Sequence, residues 1–444
     1  MGSSTLLGGD RMKRGLHRPS PNMMAQKGGC TFGASSFFQT EAVQPGPYCP
    51  RKIIPWRWQM RSWRALSVCL ALALCVFGSD MVFGAEEIKI GVMVPLTGPA
   101  AADGLSASNS VKLAAEKVNA AGGLLGKKVV LVEYDDRADA KEGIALARKL
   151  IEQDKVVAVV GGSYSAPSRA VAPIFQEEGV PFVAAYAVHP DVTKAGDYCF
   201  RNGFLGHVEG AAAAYVAVNK LKAKRIALLT TDNDFGRTLV EGFKRYLSKA
   251  GKDVQIVSEQ VYPFAEKDFK AYLAKIKEAN PDLIQVSGYY FHTGPTLKQA
   301  REMGITATIM GEEGADSPKL FEIAGPAAEG FIIVTNLDRD DPRPVVQNYI
   351  KEYKERHKIA PDMVGASAYD AFMLIADAIK RAGSLDKKAI RKALAETKDY
   401  DGLTGVIKGF TPEREVIKNV QVQIVKNGEF RHFWVVTDPE VITP

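Results

Sequence analysis

The stretch from Glu87 to Asp136, EIKIGVMVPLTGPAAADGLSASNSVKLAAEKVNAAGGLLGKKVVLVEYDD, decides the fold. Its apolar run IKIGVMV reads as a strand that enters a polar, Gly- and Pro-containing turn at Pro99–Gly104. The turn opens a helix that ends at Gly122-Gly123, and a second apolar strand, KKVVLVEYDD, ends in acidic residues. Strand, helix and strand in that order form a βαβ unit, with its turn at a ligand-facing edge.

What precedes this unit must be set aside before composition is read. Arg61 and Arg64 come before the apolar run Ala65–Gly78, and the small residues Gly84 and Ala85 follow it. This is the pattern of an export signal over residues 60–85. The run is shorter than the roughly 20 apolar residues that a membrane span needs. Residues 1–59 are polar and without periodicity, and are expected to be disordered or an over-extended start ahead of Met60. Cys75 follows the bulky Leu74, which argues against a lipid attachment site. Ten of the 57 Lys and Arg and three of the 51 Asp and Glu lie in residues 1–85, which leaves 47 basic against 48 acidic residues. The near-neutral balance removes the case for nucleic-acid binding. Four of the five cysteines also fall there, so Cys199 stands alone and no internal disulfide is expected.

The rhythm continues through the helix Lys141–Gln153, the strand Val156–Val160, the helix Pro167–Glu178 and the strand Val180–Ala184. It restarts at Lys224 with RIALLTTD, a helix from Phe235 to Ala250 closed by Gly251, VQIVSEQVY, a helix from Lys267 to Ala279, and DLIQVSGYY. TATIMGEEG, SPKLFEIAG and EGFIIVTNL alternate again. Helices are then expected at Pro342–His357, Val364–Ala382 and Lys387–Thr397, followed by a strand in LTGVIKGF and a hairpin turning at Asn427-Gly428. This predicts an α/β protein with two doubly wound lobes. The late helices and late hairpin imply that the chain crosses between lobes more than once, so a hinge flanks a cleft.

Open α/β sheets bind ligands at the carboxyl ends of their strands. At one such end, Gly161-Gly162-Ser163-Tyr164-Ser165-Ala166-Pro167 places Ser165 as a helix N-cap and aims a helix N-terminus at an anion such as a carboxylate. An ordinary Ser cap is the plainer reading. Ala184–Pro190 offers Tyr186, backbone N–H groups and His189 beside it. In the second half, Tyr289 and Tyr290 could close over an apolar group. Glu313, in Gly311-Glu312-Glu313-Gly314, could pair with an ammonium or simply be solvated.

The blocks LTGPAAADG, NAAGGLLGKKVVLVEYDD, VGGSYSAPSRAVAPIFQEEGVPFV, KDFKAYLAKIKEANPD, GYYFHTGPTLKQAREMGI, EGADSP and GPAAEGFIIV resemble the branched-chain amino-acid binding family of type I periplasmic solute-binding proteins. The resemblance runs from Glu87 to about Val436. It implies two lobes joined by a three-segment hinge, residues 86–205 with 337–409 and residues 206–336 with 410–444. It also implies a periplasmic receptor that delivers its ligand to the permease subunits of an ABC importer, and we expect a monomer. Carried over by position, Ser165 and the backbone at Ala187 would grip the ligand carboxylate, Glu313 would hold its ammonium, and Tyr289 and Phe235 would cover it. Two departures bear on the ligand. Val188 stands where many relatives place a hydroxyl, and Asp103 stands where an aromatic or apolar residue often lines the pocket, with Tyr164 and Tyr186 adding bulk nearby. Asp103 is either a solvated turn residue or a contact that disfavours a purely aliphatic ligand.

A sensor that reports an amino acid or amide to a signalling partner is the alternative. Catalysis is not expected: there is no phosphate loop, dinucleotide fingerprint, nucleophile elbow or His-x-x-His cluster. No cofactor or metal is called for.

Overall fold

The computed structural model describes residues 87–161, 164–250 and 253–444. The export signal, the reading of residues 1–59, the lipid question at Cys75, Gly162-Ser163 and the closing Gly251 lie outside the described residues.

Two sheets organise the chain. The first has the order β2-β1-β3-β4-β5, built from β1 (Ile88–Val94), β2 (Val129–Asp135), β3 (Ala158–Gly161), β4 (Phe182–Ala184) and β5 (Cys199–Arg201). Every neighbouring pair is parallel, in the register Ile88 with Val129, Ile90 with Ala158 and Phe182 with Cys199. The second sheet repeats this order as β7-β6-β8-β9-β10, from β6 (Arg225–Thr231), β7 (Gln255–Tyr262), β8 (Leu283–Ser287), β9 (Thr308–Gly311) and β10 (Ile332–Thr335). The chain then makes two short ribbons, β11 (Tyr400–Gly402) with β12 (Gly405–Ile407) and β13 (Gly409–Phe410) with β14 (Val416–Ile417). It ends in β15 (Val420–Lys426) and β16 (Glu429–Val436), which extend the second sheet antiparallel beyond β10. The expected hairpin turns at Asn427 (φ 54°) and Gly428 (φ 75°), the pair of positive φ values that an Asn-Gly turn favours.

Apolar side chains cover both faces of each sheet, as double winding requires. On one face of the first sheet, Val111 and Ala114 of the helix Ala101–Ala120 share a core with Phe372 and Ile375 of the helix Met363–Ala382. On the other face, Leu150, Val171 and Phe175 pack with Met93 and Phe182. The second sheet is covered by Ala212, Ala213 and Phe243 on one side and by Leu273, Leu297 and Leu320 on the other. The 20-residue helix Met363–Ala382, far downstream in the chain, thus completes the first core. No helix among the described residues is long and apolar enough to cross a membrane.

Several boundaries differ from expectation. The helix expected over 141–153 runs from Ala140 to Lys149 and widens into a π turn, Leu150–Asp154, before Lys155 at φ 56° ends it. The helix expected from Lys267 begins at Lys270. DLIQVSGYY is a strand only to Ser287, because Tyr290 opens the helix Tyr290–Glu302. LTGVIKGF is broken into the short ribbons. Buried Asp370 accepts the backbone N–H groups of Leu403 and Thr404, both at 2.8 Å, and holds that segment in a turn.

Cys199 is free and buried, and burial pushes its thiol up to about 12. Beside it, fully buried Arg201 pairs with Glu415 at 2.7 Å and donates to the His189 carbonyl at 2.6 Å. The segment between β13 and β14 is thereby tied to the first sheet.

Candidate functional site

The carboxyl ends of the strands converge on one cavity. From the first sheet, the chain leaves β1 through Pro95–Ala100 and enters its helix at Ala101, so Asp103 sits in the first helical turn. This corrects its reading as a solvated turn residue: Asp103 is 5% exposed and accepts the Tyr164 hydroxyl at 2.7 Å. β3 leads to Tyr164, which is extended (φ −115°, ψ 152°) and caps the helix Ser165–Glu177. Ser165 is therefore the first helical residue and not the N-cap. Its Oγ is buried and has no hydrogen-bond partner among the described residues. β4 supplies Tyr186 and Ala187.

From the second sheet, the helix Asp234–Ala250 brings Phe235 in its first turn, and the turn after β8 brings Tyr289, at the N-cap of the helix Tyr290–Glu302. β9 runs into Glu312 and the 3-10 turn Glu313–Ala315. A Cβ at Gly314 would lie 2.7 Å from the Gly288 carbonyl oxygen and 2.9 Å from Phe235 Cζ, so glycine lets the Phe235 ring rest on this turn. Tyr289 is sandwiched, with ring centroids 4.7 Å from Phe235 and 4.9 Å from Tyr164.

Seven of the eight expected residues, Asp103, Tyr164, Ser165, Ala187, Phe235, Tyr289 and Glu313, line this one cavity, together with Tyr186, Gly314, Met363 and Val364. The eighth, Val188, lies behind it. Its side chain is buried toward Gly206, and its carbonyl accepts the Gly206 N–H at 2.9 Å. His189 faces away, its Nδ1 accepting the Asp191 N–H at 3.2 Å. The cavity is small, about 20 Å³, and a vestibule of about 230 Å³ shares Tyr164, Ser165, Phe235 and Tyr289 with it. A roomier groove of about 390 Å³ runs between the helix Pro344–His357 and the β15–β16 turn. None of its lining side chains carries an unsatisfied buried polar atom, so the smaller cavity is where the chemistry points.

The cavity's electrostatics are acidic. Burial, and then the nearby Asp362 carboxyl, push Asp103 up to about 8. Burial and then Glu209 raise Glu313 well above the carboxylate range. The Glu313 N–H donates to Glu209 Oε1 at 2.7 Å, and Asn336 donates to Glu313 Oε2 at 2.8 Å. Burial also pushes Glu312 up to about 8. Among the described residues, no Lys, Arg or His lines the cavity. At the cleft mouth, Arg169 of the first sheet's helix meets Asp234 of the second sheet's helix at 2.5 Å, and Tyr290 donates to the Pro99 carbonyl at 3.0 Å.

Glu209, Asn336, Met363 and Val364 escaped sequence reading. A lone acid in GHVEGAAAAY was a usable signal for Glu209. Asn336 follows β10, where the chain leaves the second sheet, and Met363 and Val364 open a helix whose periodicity marks its core face but not the cavity that its first turn reaches. Chemically, Ser165 Oγ and the first-turn N–H groups that a helix leaves without internal acceptors suit an anion. Glu313 suits a cation, and the rings suit a flat or apolar body between them.

The family model described as "Periplasmic binding protein" matches residues 87–429. The Leu/Ile/Val-binding protein of Citrobacter freundii is 32% identical over 299 residues, 67% of this chain and 79% of the relative. A leucine-binding protein of Thermotoga maritima superposes with a TM-score of 0.74 at 33% identity, over 80% of this chain and 99% of the other. The substrate-binding protein of a Streptococcus pneumoniae branched-chain amino-acid transporter, solved with isoleucine, gives 0.74 at 29% identity over 79% of this chain and 99% of the other. With the repeated sheet order and the shared cavity, these likenesses identify the chain as a member of the periplasmic binding protein family, of the type I fold and the branched-chain amino-acid binding group.

Proposed function

We propose that the protein is an exported, periplasmic receptor that captures an amino acid or a related small carboxylate between its lobes and presents it to the permease subunits of an ABC importer. One observation carries the reading: an unpartnered, buried Ser165 hydroxyl in a first helical turn shares a cavity with the Glu313 carboxyl from the other sheet. An α-carboxylate and an α-ammonium have those two complements, each charge-assisted bond contributing roughly 1.5–3 kcal/mol. These relatives are binding proteins, which supports a binder rather than an enzyme.

We assign the first sheet with residues 337–417 to lobe 1, past the expected boundary at 409, and the second sheet with the C-terminal hairpin to lobe 2. The ribbon to Ile417 goes with lobe 1, because Glu415 in it pairs with Arg201. The rings leave about 20 Å³ between them, so an amino acid enters only as the lobes part and the rings separate. Calorimetry against a panel of amino acids and small carboxylates tests this. Micromolar or tighter binding of an α-amino acid, weakened at least tenfold by Glu313→Ala, is expected. An affinity unchanged by Glu313→Ala removes the ammonium role, and no binding of any panel member removes the receptor reading.

A further inference from the structure

An α-amino acid whose ends are taken by Ser165 and Glu313 leaves the Asp103 carboxyl of the cavity without an assignment. Asp103 enters from the first turn of the helix Ala101–Ala120, lines the same cavity, and is 5% exposed. Its only hydrogen bond among the described residues is the one its Oδ2 accepts from Tyr164. That hydroxyl belongs to a ring packed at a tilt of 31° against Tyr289, which in turn stacks on Phe235, so Tyr164 fixes the carboxyl at the edge of an aromatic wall. Among the described residues no basic side chain lines the cavity to neutralise Asp103, and the charges of Asp362 and Asp316 add to its negative surroundings. A buried carboxyl so placed is costly unless a ligand supplies the missing donor.

Resting on the receptor reading above, we propose that Asp103 sets specificity, selecting an α-amino acid whose side chain ends in a hydrogen-bond-donating nitrogen, a carboxamide or an ammonium, over an aliphatic one. The carboxamide gives N–H to one carboxyl oxygen and can accept a proton held by the other. The ammonium gives N–H alone and passes close to the ring faces. Burial pushes Asp103 up to about 8, so near pH 7 the carboxamide meets a largely neutral acid, whereas the ammonium displaces a proton.

The test is calorimetric titration of the purified protein with L-glutamine, L-ornithine and L-leucine, repeated in two buffers of different ionisation enthalpy, with the Asp103→Asn and Asp103→Leu variants alongside. Wild type is expected to bind glutamine or ornithine at least tenfold tighter than leucine. Because the α-ammonium of each of the three meets the likewise raised Glu313, a proton released beyond the leucine baseline marks the side-chain ammonium, and release equal to that baseline marks the carboxamide. Asp103→Leu is expected to reverse the preference, and Asp103→Asn to retain glutamine while losing ornithine. Leucine binding tightest to wild type overturns the proposal and leaves the receptor reading standing, and this arm needs no variant to fold. A ratio unchanged in Asp103→Leu also overturns it. Binding of none of the three overturns this proposal together with the α-amino-acid reading on which it rests.

Discussion

Arg169 and Asp234 meet at 2.5 Å, although their helices start from different sheets. Burial alone would raise the Asp234 carboxyl, but the hydrogen bond and charge of Arg169 outweigh it and hold the group below its ordinary range. The pair is partly exposed, with side chains 38% and 22% accessible, so its contribution to closure is modest, about 0.2–1 kcal/mol. Arg169→Ala should weaken ligand binding two- to fivefold at low ionic strength and hardly at all in about 0.5 M salt, where surface charges are screened. Calorimetry at both salt levels checks this. Equal losses at both would assign Arg169 a packing role instead.

Gly314 supports the Phe235 ring, and a methyl group there would press on that ring and on the Gly288 carbonyl. Gly314→Ala should cost about 1–3 kcal/mol of stability by overpacking. It should also lower ligand affinity at least tenfold, because the ring must tilt into the cavity. Urea unfolding and calorimetry on the same preparation separate the two effects. Unchanged affinity would mean that the ring moves away from the cavity.

Arg201 and Glu415 form a pair sealed from solvent between β5 and the β13–β14 ribbon. Glu415→Ala leaves the guanidinium buried and unpaired, and about 3–5 kcal/mol of stability should be lost. Removing both charges, as Arg201→Met with Glu415→Leu, should recover most of it. Chemical denaturation of the three proteins decides the matter, and a double variant as weak as the single one would count against the pair as the cause.

Asp103 and Glu312 are both pushed up to about 8 by burial. Between their ordinary values near 4 and those folded values, the folded protein keeps protons that the unfolded chain has released. Their contribution is therefore complete below about pH 4 and is lost as pH rises toward 8. The ligand-free protein should have a higher urea midpoint at pH 5.5 than at pH 8, and Asp103→Asn should flatten that slope. The comparison stays at or below pH 8, because buried Lys418, pushed down to about 8, adds an opposite trend above it. A midpoint that rises from pH 5.5 to pH 8 in wild type would exclude this linkage as the dominant one.

Much of this site was readable along the chain because strand ends were readable. Apolar runs bounded by Gly, Pro and acidic residues marked where β1, β3, β4, β8 and β9 stop, and in doubly wound sheets those ends face the ligand. Boundaries within a turn were not readable. Ser165 looked like a cap because serine favours that position, yet the helix starts there with Tyr164 as cap, which leaves the hydroxyl free of a capping role. The sequence leaves Asp103 between a solvated turn residue and a contact, and the helix beginning at Ala101 turns it inward.

By itself, then, the sequence determined two copies of one strand–helix rhythm and the strand ends that carry the site. Those follow from local periodicity and turn chemistry, which act over a few residues. Only the tertiary structure decided that Glu209, Asn336, Met363 and Val364 support or line the cavity, that Val188 lies behind it, and that Asp103 and Glu313 share it. Such neighbours are brought together by chain crossings hundreds of residues apart and by the burial that results, and no local pattern encodes either.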